Sequence, residues 1–248
     1  MRRLPKILAR EPLIDAVFEM RASGVPNLAD VLPGILFSQI NPKPQFRRLS
    51  TAEIPQAFRL NDPNLAFSPL VQLELEQFLI SFGDRNVVVS CKMPYPKWPA
   101  FNEFIIQVIA MIGASGIPIV IERYSLKYVN VIEAPTISEQ IKKIVINLKI
   151  GDVELGDDPA TVQLHRRETG TLHILSVMTG AIARLFDGCT VSGTILDIDS
   201  IREVSFPSFS EFEQSIKSDI QSLRAENKSK FFNCLTEAAI EELGPAYE

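Results

Sequence analysis

The chain has 248 residues, of which 46% are hydrophobic, with a formal net charge of −5 and a pI near 5.3. That is enough apolar material for one large domain or two small ones with a packed core. The acidic balance argues against a general nucleic-acid binder, which normally carries a basic excess. No run approaches the roughly 20 apolar residues that a bilayer span requires. The basic cluster Arg2, Arg3, Lys6 and Arg10 is followed by no apolar segment of the signal-peptide kind, so a cytoplasmic protein with no membrane span is expected.

Taken in order, Pro12 to Arg21 alternates as a first strand, and Gly24 and Pro26 punctuate its end. Asp30 to Ile40 reads as a short helix with Asp30 as N-cap and Ile35, Leu36 and Ile40 as its buried stripe. Asn41 to Pro55 is a proline-rich loop with a short strand at Phe46 to Leu49. From Phe67 the pattern becomes antiparallel: Val71, Leu73 and Leu75 oppose Gln72, Glu74 and Glu76. Leu79 to Phe82 and Asn86 to Met93 follow as a hairpin turned at Gly83 and Asp84. Pro99 to Met111 is an amphipathic helix with Phe101, Ile105, Val108 and Ile112 in its stripe. Trp98 and Tyr95 at its entrance suit a packing staple better than a ligand platform.

The longest strand-like run is Glu122 to Glu133. Its alternation puts Glu122, Tyr124, Leu126, Tyr128, Asn130 and Ile132 on one face and Arg123, Ser125, Lys127, Val129 and Val131 on the other. Ala134 to Gln140 reads as a turn or short helix and Ile141 to Ile150 as a strand, followed by an acidic loop from Gly151 to Pro159. Thr161 to Arg167 and Thr171 to Met178 form a hairpin around Thr169 and Gly170. A two-residue loop sets His165 opposite Ile174 and His173 opposite Arg166, on opposite faces; a three-residue loop would bring both histidines to one face. Thr179 to Cys189 reads as a flexible segment and Ile195 to Glu203 as the last strand. Ser208 and Glu211 form a capping box for a long terminal helix striped by Phe212, Ile216, Ile220, Leu223, Phe231, Leu235 and Ala239. Its polar stretch Arg224 to Lys230 marks the expected bend, and Gly244-Pro245 its end.

The predicted class is therefore α+β: antiparallel strands covered by two main helices. A coarse repeat, strands then helix, suggests two similar halves, residues 1–134 and 135–248.

Chemistry is sparse. Cys91, Cys189 and Cys234 have no CxxC spacing, so neither a disulfide framework nor a zinc site is implied. Phosphate-loop, dinucleotide, zinc-protease, serine-hydrolase and kinase signatures are absent from the sequence, and no cofactor is expected. The polar candidates are Arg123 and Lys127 on the central strand, with Asn130 beyond them, and Asp197 and Asp199 on the last strand. Two cations facing two carboxylates on neighbouring strands would form a charge ladder, the simpler reading. The alternative is a site for a small anionic ligand. Asp197 and Asp199 could also ligate a divalent cation beside a phosphate substrate, but Glu203 is a poor third ligand, about 13 Å along the strand from Asp199.

Five segments in order along nearly the whole chain carry a resemblance: Glu11 to Arg21, Pro94 to Ile105, the Glu122 to Ile132 strand, Leu196 to Asp199 and the helix containing KFFNCLTEA. The chain resembles a sporadically distributed family of prokaryotic proteins of similar length, with no established activity. It departs from that family's pattern at Lys127, where Arg is favoured, at Asp15, where Glu is favoured, and at Ala225 and Glu226, where a His is usual. The resemblance implies an accessory role such as defence against phage. The expectation is a non-enzymatic interaction or sensing protein that works with a protein partner or as a homo-oligomer. The rival is an enzyme or binder of an anionic ligand built on Arg123, Lys127 and Asp197/Asp199.

Overall fold

A computed structural model describes residues 3–23 and 27–247. Arg2 of the basic cluster, and Gly24 and Pro26 at the end of the first strand, lie outside the described residues. The class is α+β. Among the described residues one antiparallel sheet of nine strands runs in the order β10-β11-β12-β7-β2-β6-β5-β4-β3. In chain order these are β2 (Leu13–Ser23), β3 (Gln45–Arg48), β4 (Val71–Glu74), β5 (Phe78–Phe82), β6 (Asn86–Cys91), β7 (Val120–Glu133), β10 (Thr161–Glu168), β11 (Thr171–Arg184) and β12 (Thr190–Glu203). Two small pairs stand apart: β1 (Ile7–Leu8) with β13 (Pro245–Ala246), and β8 (Lys149–Ile150) with β9 (Val153–Glu154).

The chain divides into two compact units that interleave along the sequence, whereas the division after Ala134 would be sequential. The first takes residues 1–16, 127–200 and 222–248, and the second residues 17–126 and 201–221.

The second unit holds helices α1 (Leu28–Gln39), α2 (Gln56–Asn61) and α3 (Trp98–Ala114) and the start of α5 (Phe209–Asn233). Strand alternation drives its core. Phe18 and Met20 on β2 and Tyr124 on β7 are buried, and Tyr124 lies 6.5 Å from Phe18 and 5.9 Å from Phe212 between ring centroids. Phe78 stacks on Phe104 at 4.2 Å. Each such ring contributes about 1.5–3 kcal/mol by burial. The N-cap of helix α1 falls three residues earlier than expected, at Asn27 rather than Asp30: its side chain accepts from the Ala29 N–H. Trp98 acts as a staple, edge-on to Phe101, with its indole N–H donating to Gln221 at 2.9 Å.

The first unit packs Leu196 and Ile198 of β12 and Ile132 of β7 against Phe231, Phe232, Leu235, Ala239 and Ile240. These come from the end of α5 and from α6 (Glu237–Glu242). Here three expectations change. Ile141 to Ile150 is not one strand. Helix α4 (Ile137–Lys143) takes its start, because Thr136 and Glu139 form a reciprocal capping box. Thr179 to Arg184 is not a flexible segment; it continues β11, with Gly180 at φ 69°. The terminal helix is unbroken through Arg224 to Lys230 and divides at Cys234 to Thr236, where Thr236 caps α6. The polar stretch survives inside the helix because Asn227 is buried and bonded rather than solvated.

Candidate functional site

On β7 Tyr124, Leu126, Tyr128, Asn130 and Ile132 are buried on one face; on the other, Arg123, Lys127 and Val129 are half-buried, while Ser125 and Val131 are buried as well. Asn130 therefore has the opposite parity to Lys127 and is not part of a shared polar surface. The sequence grouped it with the cations only by proximity along the strand.

In the first unit Lys127 reaches β12, where its Nζ lies 2.9 Å from Asp197 Oδ2. Burial works against the Lys127 charge. The hydrogen bond and charge of Asp197, then the charges of Asp199 and Asp15, outweigh it and raise its pKa. Asp15 on β2 is the third carboxylate of this group. Burial is the main influence on it and raises its pKa, opposed by Lys127 and by the Ala16 backbone N–H. The arrangement is one ammonium in the field of three carboxylates drawn from β2 and β12.

In the second unit Arg123 turns to β2 instead. Its Nη2 lies 3.5 Å from Glu19 Oε2. Glu19 also accepts from Arg21 Nε at 2.9 Å and from Asn86 Nδ2 at 2.9 Å, and Arg21 lies over the Phe67 ring at 3.7 Å. The expected ladder thus forms for Lys127 with Asp197, and β2 supplies a partner for Arg123 that the sequence reading did not name. Asp15 and Glu19 could have been found: they alternate with buried Ala16, Phe18 and Met20 on one strand.

Two buried polar clusters were also missed. In the second unit Arg59 and Asp84 form a bidentate pair, Nε–Oδ2 and Nη2–Oδ1 both 2.8 Å, with side chains 6% and 2% exposed. In the first unit His173 Nδ1 lies 2.9 Å from Ser200 Oγ and its Nε2 3.7 Å from Glu226 Oε2. Asn227 donates to Ser200 Oγ at 3.0 Å and to the Ile198 carbonyl at 2.9 Å. Ser200 and His173 are buried while the Glu226 side chain is 29% exposed, so the serine hydroxyl and the imidazole are closed to solvent in this fold.

The hairpin takes the two-residue loop. His165 pairs with Ile174 and Arg166 with His173, so the histidines face opposite sides. No group of His, Cys, Asp and Glu among the described residues is placed to hold a metal ion. Two of the thiols are poorly disposed to ionise: Asp187 raises the Cys189 pKa and burial raises that of Cys234. A cleft of about 570 Å³ in the first unit is lined by Arg10, Pro12, Val131, Lys143, Ser192 and Glu242 among others, and by none of the five candidate residues. Its cations are engaged: Lys143 Nζ contacts Glu242 Oε2 at 2.6 Å and the Glu133 carbonyl at 2.9 Å, and Arg10 donates to the Glu242 carbonyl.

No helix among the described residues is long and apolar enough to cross a membrane. No protein-family model matches the chain, and no curated protein matches it significantly.

Proposed function

We propose that this chain is a non-enzymatic interaction or sensing protein that acts with a partner protein. The observation that carries this reading is the placing of large apolar side chains in solvent within the first unit. Ile150 and Val153 on the β8–β9 hairpin are 71% and 65% exposed, and Ile182 on β11 and Phe186 after it are 76% and 66% exposed. Exposed apolar side chains are ordinary singly; two such pairs, each close in sequence and both within one unit, fit a contact surface. The apolar stripe of α5 does not serve this purpose, because Phe212, Ile216, Ile220 and Leu223 are buried within the chain. The resemblance supports an accessory setting for the partnership, such as defence against phage.

The anionic-ligand alternative fares worse at Lys127. An incoming anion would have to displace Asp197 and then face Asp15 and Asp199.

The test is affinity purification of the tagged chain from its own cells, read by mass spectrometry for proteins and metabolites together. The expected result is a stoichiometric protein that is lost in Ile182→Asp/Phe186→Asp or Ile150→Asp/Val153→Asp, with thermal unfolding unchanged. A bound metabolite without any protein, or capture insensitive to both variants, would overturn the reading.

A further inference from the structure

We infer that β10 is the seam of a homodimer, in which two copies of the chain pair antiparallel through this strand and continue the sheet across a two-fold axis. Strand β10 ends the sheet order, with β11 as its one neighbour in that order. It is eight residues long, contains no proline, and pairs with β11 without a bulge from Thr161↔Met178 to Glu168↔Thr171. Edge strands in stable monomers are usually short, bulged or interrupted by proline.

The hairpin decides which backbone groups point outward. Thr169 and Gly170 have φ of 50° and 82°, the signature of a two-residue turn with both central residues left-handed. In such a hairpin the closing pair, Glu168 and Thr171, exchanges both hydrogen bonds. Alternation then turns the N–H and C=O of residues 168, 166, 164 and 162 toward β11. The Thr179 N–H donating to the Ala160 carbonyl at 2.9 Å continues the same phase. Thr161, Gln163, His165 and Arg167 therefore present their backbone groups to the outside.

Symmetry limits the register. A two-fold axis perpendicular to the sheet must pass through a residue facing its own copy, since only then do side chains on each face match. Centring on Leu164, which is 57% exposed, sets Leu164 against Leu164 and pairs Gln163 with His165 and Thr161 with Arg167 in hydrogen-bonded positions. Centring on His165 would set Leu164 against Arg166 instead.

Charge selects a second copy as the occupant. The end of β10 carries exposed Arg166 and Arg167; Glu168 holds Arg166 at 2.9 Å and also contacts Lys230, so the end stays basic. The segment leading into β10 carries exposed Asp157 and Asp158. With Leu164 facing its own copy, Asp158 falls opposite Gly170 of the other copy, three residues beyond Arg167, so the acidic lead-in of each strand borders the basic end of the other, twice over.

The experiment is sedimentation velocity of the full chain over a range of concentrations, beside His165→Pro. Proline at an outward-facing edge position spares the β10–β11 ladder but removes a donor from the seam. The expected result is a wild-type dimer that weakens with salt, and a His165→Pro monomer with unchanged circular dichroism. In a Cys189→Ser background, Leu164→Cys should cross-link two copies under mild oxidation while Thr161→Cys does not. A monomeric wild type, or a dimer that survives His165→Pro, would overturn the inference. So would a monomer whose co-purifying protein is lost in His165→Pro, which would assign the edge to a different chain. These readouts do not depend on the variants that test the proposed function.

Discussion

Lys127 and Asp197 are bonded across β7 and β12 at 2.9 Å, with side chains 39% and 27% exposed. That partial exposure puts the pair between a surface ion pair, worth ~0–1 kcal/mol, and a buried one, whose disruption costs about 3–5 kcal/mol. Lys127→Met should destabilise the fold by about 1–2 kcal/mol, because three carboxylates lose their ammonium. Lys127→Met/Asp197→Leu should recover most of that loss. Chemical denaturation of the two single variants and the double variant measures the coupling. The folded state holds the Lys127 proton more tightly than the unfolded chain does. Its contribution is therefore present throughout the neutral range and is lost only as pH rises through the folded value, above 10.5.

Asp15 runs the other way at neutral pH. Its pKa is raised from 3.8 by burial, so its contribution to stability is full below that value and is lost as pH rises through the folded pKa. Asp15→Asn should leave the protein equally or slightly more stable at pH 7, by up to about 1 kcal/mol, and should flatten the pH dependence of unfolding in the mildly acid range. Thermal unfolding between pH 4 and 7 reads this. A clear loss of stability at pH 7 would mean that attraction to Lys127 outweighs the burial penalty.

The Arg59–Asp84 pair is the more stringent case, being buried on both sides. The hydrogen bond to Asp84 raises the Arg59 pKa and outweighs burial, so the guanidinium stays charged. Asp84→Asn or Arg59→Met alone should cost about 3–5 kcal/mol, since each strands a buried charge or donor fork. An apolar double replacement should cost far less. Equilibrium urea unfolding distinguishes the two outcomes.

Ser200→Ala should cost about 1–3 kcal/mol by depriving both His173 and Asn227 of a buried partner. A catalytic serine would give a different signature, namely loss of function with stability intact.

Gly193 marks a close approach of β12 to β7. A Cβ there would sit 2.6 Å from the Ile132 carbonyl oxygen and 2.9 Å from Val131 Cγ2. The obstacle is backbone, which cannot step aside, so Gly193→Ala should destabilise by about 1–3 kcal/mol. Thermal unfolding of that variant beside Gly156→Ala, where the nearest atom is 3.8 Å away, provides the comparison.

Local pattern carried a good part of the fold. Period-two alternation placed the faces of β7 and β12, and the Thr169-Gly170 signal located the β10–β11 hairpin, because both signals act between residues close in sequence; which of two loop lengths set its register was decided by the structure. Where local signals competed, the sequence misled. The apolar run at Ile141 to Ile150 looked like a strand, but the capping box of α4 claimed its first residues. The division of the terminal helix likewise followed the Thr236 cap rather than the charge of Arg224 to Lys230.

The sequence by itself determined the α+β class and the parity that puts Lys127 and Asp197 on polar faces. It also confined both histidines to one hairpin. Only tertiary structure decided which strands are neighbours. That choice joined Lys127 to Asp197 and Asp15, sent Arg123 to Glu19, and buried Asn130. It also closed the Arg59–Asp84 and His173–Ser200–Asn227 clusters. The physical reason is range. Periodicity is a property of one segment, whereas an ion pair or a buried network needs two or more segments whose meeting is governed by packing of the whole core.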